Sequence, residues 1–302
     1  MIKCIKRQDL DLIKYDTCIE NSIQSRIYAL SWYLDIAADN WDVLVLDDYQ
    51  AVMPIPWRKK MGVKYVYPPF WMIELGFFSL NDKVDSLPFF KVLFDKFKFV
   101  ELRMNTTNRI QESKENLIDR NLQFISLNSD YNSIFKNYNR NRKRELVHAK
   151  KNDLIENWND NPEKLISLFK ENIGIRVKEI KENDYNKLLK LMLICLKKKN
   201  GDLLTVFDSN NNIVSAAFFL KYNHKVTQLV CVSDIKNRKN GAHTFFNDRA
   251  IFKYQPNFNE YNFGGSSMKS IANYYKSFGA ETVKYQQVKY NNLPFLLKWF
   301  KK

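Results

Sequence analysis

The chain has 302 residues, 45% of them hydrophobic, and carries 48 Lys and Arg against 33 Asp and Glu, a net charge of +15. That length suits one large core or, better, two domains of about 150 residues each, and the charge points to anionic partners such as nucleic acid, lipid headgroups or phosphorylated substrates. No window reaches the roughly 18 uninterrupted apolar residues of a membrane helix, the start "MIKCIKRQDLDLIKY" is charged where a signal peptide is apolar, and Cys4, Cys18, Cys195 and Cys231 lack paired spacing, so a cytoplasmic protein with buried free thiols and no zinc or disulfide framework is expected.

Residues 22–38 place Ile23, Ile27, Leu30, Leu34 and Ala37 at helical spacing behind a cap at Asn21, which predicts an amphipathic helix. "DVLVLDDYQAVMPIP" reads as two strands around an Asp-Asp turn, and "KYVYPPFWMIELGFFS" as an extended aromatic stretch. A helix is expected over 86–97, then the short strands "FVELRM" and "LQFISL", the second closing a first domain near residue 128. The second domain opens with a basic helical stretch over 131–152 and continues with helices near 162–172 and 184–199, started by Asn161-Pro162 and Asn183-Asp184. "DLLTVF", "IVSAAFFLKY" and "KVTQLVCVS" form an antiparallel meander through tight turns. A helix over about 242–254, the strand "EYNFGG", a helix over 267–278 and the strand "TVKYQQVKY" complete the chain.

Three stretches carry candidate chemistry. In "SDIKNRKNGAHTFF" a strand runs into a helix through a turn containing Ser233, Arg238, Asn240, Gly241 and Ala242. Backbone N–H groups at such a helix start, with the helix dipole, suit a pyrophosphate; an ordinary strand-to-helix turn is the competing reading. In "NFGGSSMKSIANYYKSFGA", Gly264 and Gly265 end a strand, Ser266 or Ser267 caps the next helix, and Gly279 ends it in the left-handed position. The Gly-Gly pair also permits close backbone approach to a ligand. In the basic stretch, Lys136, Arg140 and Lys143 or Arg144 share one helical face, which reads either as a phosphate-binding stripe or as a solvated face. His148, His224 and His243 lie in separate elements with no metal-like spacing and no Ser or Cys partner that the sequence names, so neither a metal site nor a nucleophilic triad is expected.

The order helix, helix, three antiparallel strands, helix, strand, helix, strand resembles the GCN5-related N-acetyltransferase (GNAT) fold, with the first half a degenerate version of it. An α/β (α+β) protein of two tandem GNAT-like domains is therefore expected, 1–128 and 129–302, each a mixed, mostly antiparallel sheet flanked by helices. Within that superfamily three segments resemble the Fem-type and BioF2-like tandem branch of bacterial proteins. "NYNRNRKRELVHAKKNDL" is similar to its lead into the second domain at Arg144, Leu146, Ala149 and Lys151. "YNFGGSSMKSIANYYKSFGAETVKYQ" is similar at Asn262, Phe263, Gly265, Tyr275, Lys276, Phe278 and Gly279. "MPIPWRKKMGVKYVYPPFWMIELGFFS" is similar at Met53, Pro54, Pro56, Gly62, Pro69, Leu75 and Gly76.

The resemblance implies an acyl- or aminoacyl-transferase that moves an acyl group from acyl-CoA or aminoacyl-tRNA to an amine of an anionic acceptor, such as a cell-envelope precursor. No metal is called for. On this reading Lys276 stabilises the oxyanion or donor phosphate, Glu74 is the candidate base, and the Ser233 to Ala242 turn seats the donor. Arg140, Lys143, Arg144, Gly264, Gly265 and Tyr275 contact the anionic acceptor, with a tRNA end and contact with a membrane surface among the partners the resemblance allows. His243 stands where the coenzyme A pattern ends in a glycine or alanine, Gly264 where many members carry an acid, and the helical hairpin some Fem proteins use for tRNA has no counterpart. These departures favour the alternative of a catalytically idle protein that holds nucleic acid or anionic headgroups in a basic cleft.

Overall fold

The computed structural model describes residues 1–108, 110, 116–236, 239–265 and 268–295. By packing, the chain divides into two units, Met1–Arg120 with the segment from Lys284 on, and Asn121–Val283. Among the described residues these hold 13 strands, β1 to β13, and nine α-helices, α1 to α9, as a mixed α/β fold with mostly antiparallel pairing.

The first unit begins with β1 (Ile2–Lys6), α1 (Leu12–Asn21), α2 (Ser31–Ala37), β2 (Asn40–Leu46), β3 (Ala51–Lys60) and β4 (Val63–Val66). β5 (Phe78–Ser79), α3 (Leu87–Lys96), β6 (Phe99–Arg103) and β7 (Leu117–Ser126) follow, β7 continuing into the second unit. β1 to β4 pair antiparallel in sequence order, and β4 meets β6 in parallel at Val66 and Val100. Asp47 and Tyr49 adopt positive φ in the tight β2–β3 turn, a conformation Asp tolerates better than most side chains.

The helix expected over 22–38 is shorter, and a second one precedes it. Leu30 is extended at φ −61° and ψ 140°, so helix starts only at Ser31. The Asp16 carboxylate, projecting from α1, accepts from Ser31 N at 2.8 Å and from its Oγ at 2.5 Å, a cap supplied from fifteen residues away. α1 itself is capped locally by Asp11, which accepts from Lys14 N.

The second unit adds α4 (Tyr131–Lys136), α5 (Arg140–Lys151), β8 (Ile155–Trp158), α6 (Pro162–Phe169) with a π turn over Lys170–Gly174, and α7 (Glu182–Lys197). Then come β9 (Gly201–Phe207), β10 (Ile213–Tyr222), β11 (Lys225–Ser233), α8 (Ala242–Tyr254), β12 (Glu260–Asn262), α9 (Lys269–Lys276) and β13 (Glu281–Asn291). The basic stretch is thus two helices: the chain breaks at 137–139, where Asn139 becomes the cap of α5 by accepting from Arg142 N. α6 starts as expected at Asn161-Pro162, whereas α7 begins two residues earlier than its expected start, with Asp184 accepting from Lys181 N in a capping box.

β8 to β11 form an antiparallel ladder, β11 pairs with β12 in parallel, and β12 pairs antiparallel with β7. Side chains alternate along these strands, so Leu204, Val206, Ala217, Phe219 and Val226 share one face and meet Phe246, Ala250, Ile251 and Tyr254 of α8 in a dry core. From Lys284 on, β13 belongs to the first unit, where Val288 lies opposite Leu102 of β6.

Candidate functional site

β11 and β12 are partners only from Lys225 to Thr227; β12 stops at Asn262 while β11 runs on to Ser233. Just beyond the shared segment a bulge at Leu229 interrupts the β10–β11 register, bending β11 where the two strands part. A cavity of about 430 Å³ opens in the second unit along this stretch. Its walls are the end of β11 with Cys231, Val232 and Ser233, the π-turn region with Asn172 and Arg176, His243 at the start of α8, and Tyr274 and Tyr275 of α9. That volume lies in the range of small-molecule sites.

The walls are tied from behind. The Asn172 side chain donates to Leu168 O and accepts from Ile235 N at 2.8 Å, fixing the chain that leaves β11 against the π turn. Ser233 Oγ lies 3.0 Å from His243 Nδ1 and 2.8 Å from Ser215 Oγ, which donates to Val232 O. The His243 ring packs edge-on against Phe246 and Tyr274, with centroids 4.8 and 4.9 Å away. Burial and then the charge of Arg142 bring the His243 pKa down to about 4, so the ring is neutral at pH 7. Burial pushes the Cys231 thiol up to about 12, far from the thiolate a nucleophile needs.

Arg142 organises the layer beneath. It is buried, 7% exposed, and its guanidinium makes a two-pronged pair with Glu145 at 2.9 and 3.0 Å, donates to Thr244 Oγ1 at 2.5 Å and lies 4.4 Å from the centre of the Tyr274 ring. Thr244 in turn donates to Glu145. Arg142 is not among the basic residues expected at the site, although it shares the spacing of the inward residues Leu146 and Ala149.

Of the expected site residues, Ser233, Asn240 and Tyr275 line the cavity. Arg238, Ser266 and Ser267 fall outside the described residues. Gly241 takes φ +85°, and a Cβ there would stand 2.3 Å from Glu145 O, so this glycine lets the turn lie on α5. Ala242 N is occupied by the Asn240 side chain at 2.9 Å. Gly265, at φ +72°, lies where a Cβ would come 3.0 Å from Asn121 O: its close approach is to the backbone of β7. Gly264 N donates to Asn262 Oδ1. Gly279 holds the left-handed end of α9 over Asn137, as its position after the helix implied.

Lys276 is exposed on α9 and is not among the residues lining the cavity. Arg140 and Arg144 are exposed on α5, and Lys143 donates to Lys136 O, so the stripe exists as a basic outer face and none of it lines the cavity. Glu74, in the first unit, has both oxygens engaged, by Arg26 Nε at 2.6 Å and Thr106 N at 2.9 Å. The cavity beside it measures about 10 Å³, the size of one water molecule. Among the described residues no cluster of His, Cys, Asp and Glu could hold a metal ion, and no helix is long and apolar enough to cross a membrane.

No protein-family profile and no curated protein sequence matches the chain. Solved structures do. The crystal structure of FemX is similar at TM-score 0.63 and 11% identity, over 99% of this chain and 100% of that one. A tandem GNAT protein from the clavulanic acid biosynthesis pathway is similar at TM-score 0.58 and 8% identity, over 97% and 99%. The C-terminal domain of a putative lysylphosphatidylglycerol synthetase from Agrobacterium fabrum is similar at TM-score 0.56 and 8% identity, over 93% and 92%. The fold is that of the tandem GNAT and Fem-type transferases.

Proposed function

We propose that this protein is an acyl- or aminoacyl-transferase whose transfer site is the cavity of the second unit. The observation that carries the reading is the place of the 430 Å³ cavity, along the end of β11 past its pairing with β12 and against the start of α8. A peptide-like donor arm entering there meets the stretch of β11 beyond its pairing with β12, and the carbonyl to be attacked lies among Ser233, His243 and Tyr274. No carboxylate is among the described lining residues, and Arg176 supplies a cation, so the cavity suits a donor with an anionic portion. The similarity to a tandem GNAT protein and to a putative lysylphosphatidylglycerol synthetase supports the transferase reading. The acceptor is an amine on an anionic molecule, held in part by the basic face of α5, and the setting is the cytoplasm or the inner face of a membrane.

The test is a thermal-shift screen of acetyl-CoA, longer acyl-CoAs, aminoacyl-tRNA and bulk RNA, followed by transfer assays with any donor that binds. A ligand at 100 times its Kd adds about 2.7 kcal/mol to the folded state. Stabilisation by one donor class with transfer to an amine is the expected result. One observation favours a second reading, a nucleic-acid or headgroup binder: the basic face of α5 stands outside the cavity. Stabilisation by bulk RNA with no donor effect selects that one.

A further inference from the structure

Two serine hydroxyls at the cavity wall bear on which nitrogen of His243 carries the proton. A serine hydroxyl has one hydrogen to donate. Ser215 Oγ lies 2.8 Å from Val232 O, an acceptor only, which can take the Ser215 hydrogen. In the 2.8 Å contact between the two serines either oxygen can donate, and with the Ser215 hydrogen on Val232 O the donor is Ser233. With its hydrogen used on Ser215, Ser233 can only accept across the 3.0 Å contact to His243 Nδ1. On that assignment the ring is the Nδ1–H tautomer, and its Nε2 carries a lone pair. The chain of donation runs His243 to Ser233 to Ser215 to Val232 O and ends on the backbone of β11, within one sheet.

We infer that His243, oriented by Ser233 and Ser215, is the proton acceptor of the transfer reaction. This rests on the transferase reading above. The amine nitrogen of the acceptor attacks the carbonyl carbon of the acyl thioester or ester, and a C–N bond forms. The nitrogen's proton passes to Nε2. As the C–S or C–O bond breaks, the departing thiolate or alkoxide takes that proton back from the imidazolium, and the ring returns to its starting state. The surroundings suit a brief carrier. Burial and the charge of Arg142 on α5 disfavour a lasting imidazolium, Glu145 is already bound by Arg142, and Tyr274, Tyr275 and Cys231 stay protonated because burial raises their pKa values. A ring that titrates near 4 is a weak base at pH 7, so it takes the proton only as the C–N bond forms and the nitrogen turns acidic, and it gives that proton up readily.

The sequence contains no local motif for this arrangement, since Ser215, Ser233 and His243 come from β10, the end of β11 and α8. It assigns a role to the histidine that stands in place of a small residue in the expected donor turn.

Two measurements test it on the full chain. In 15N-histidine spectra at pH 7, the His243 pair should show protonated Nδ1 and bare Nε2, and Ser233→Ala should shift the ring toward the Nε2–H form. A parental ring in the Nε2–H form would overturn the assignment. The second compares His243→Asn, whose amide can still donate to Ser233, with His243→Gln in single-turnover transfer from acetyl-CoA or aminoacyl-tRNA, whichever the parental protein uses. A lost proton acceptor typically slows the step by about 100-fold or more, so both variants should lose that much in kcat with the donor KM nearly unchanged. His243→Asn turning over at the parental rate would leave the histidine a structural donor and refute the proposal. Parental protein that transfers from neither donor refutes the transferase reading, and with it the catalytic use of the ring, while the tautomer spectrum still decides the acceptor geometry.

Discussion

Acidification from pH 7 to pH 4 should destabilise the protein through His243 by an amount that its surroundings set. In the unfolded chain this ring titrates near 6.5; in the folded protein burial and Arg142 hold its pKa at about 4. Between these values the unfolded state binds the proton and the folded state does not, so stability falls as pH drops from 6.5 and levels off below 4. Linkage gives a loss of about 2 kcal/mol at pH 5 and about 3 kcal/mol at pH 4. Asp248 works in the opposite sense, because burial raises its pKa and lets the folded state take up a proton on acidification. The measurement is therefore a difference: urea unfolding of the parental protein and of His243→Gln at pH 7, 5 and 4. The parental protein should lose stability relative to the variant by about 2 and then 3 kcal/mol. Parallel curves for the two proteins would refute the claim that a buried neutral imidazole stands beside Arg142.

Gly241→Ala should destabilise by at least about 2 kcal/mol in the same assay, because the left-handed backbone alone costs about 1–2 kcal/mol and the new Cβ would press on Glu145 O. The double substitution Lys143→Ala with Arg144→Ala should leave the unfolding midpoint nearly unchanged, while any RNA or phosphorylated acceptor binds more weakly and with a salt slope smaller by up to about 2; an unchanged slope would make the α5 face an ordinary solvated one. Lys276→Met should change turnover by less than about 10-fold and stability by about 0.3–1 kcal/mol, the worth of a cation at a helix end; a 100-fold loss in single-turnover transfer would return this lysine to the mechanism.

What the sequence made legible follows from which contacts are local. The meander β9–β11 and helix α8 are written in alternation, tight turns and helical spacing, and the structure has them where expected. Gly279 was legible because a left-handed helix end is a local requirement. α1 went unread although Asp11 and the Tyr15, Cys18, Ile19 spacing announce it, because the same spacing ran on through Leu30 and made 22–38 look continuous. β8 has four residues and becomes a strand only through β9. At the site, Ser233, Asn240 and Tyr275 were found because they flank a strand end and two helices whose positions were readable. Arg142 and the His243–Ser233–Ser215 chain were not, since each depends on neighbours 10 to 102 positions away along the chain.

The pairing of β13 with β6 joins residues 186 positions apart, as in the hydrogen bond from Gln287 to Glu101. During synthesis, β6 emerges long before its neighbour exists. A nascent chain must therefore wait until about residue 291 is made before that edge is covered, and an open strand edge invites pairing with other chains. A fragment cut near residue 128, where the sequence first suggests a boundary, would keep that edge open permanently; the same fragment supplied with the 281–291 peptide in trans has a ready-made partner for it.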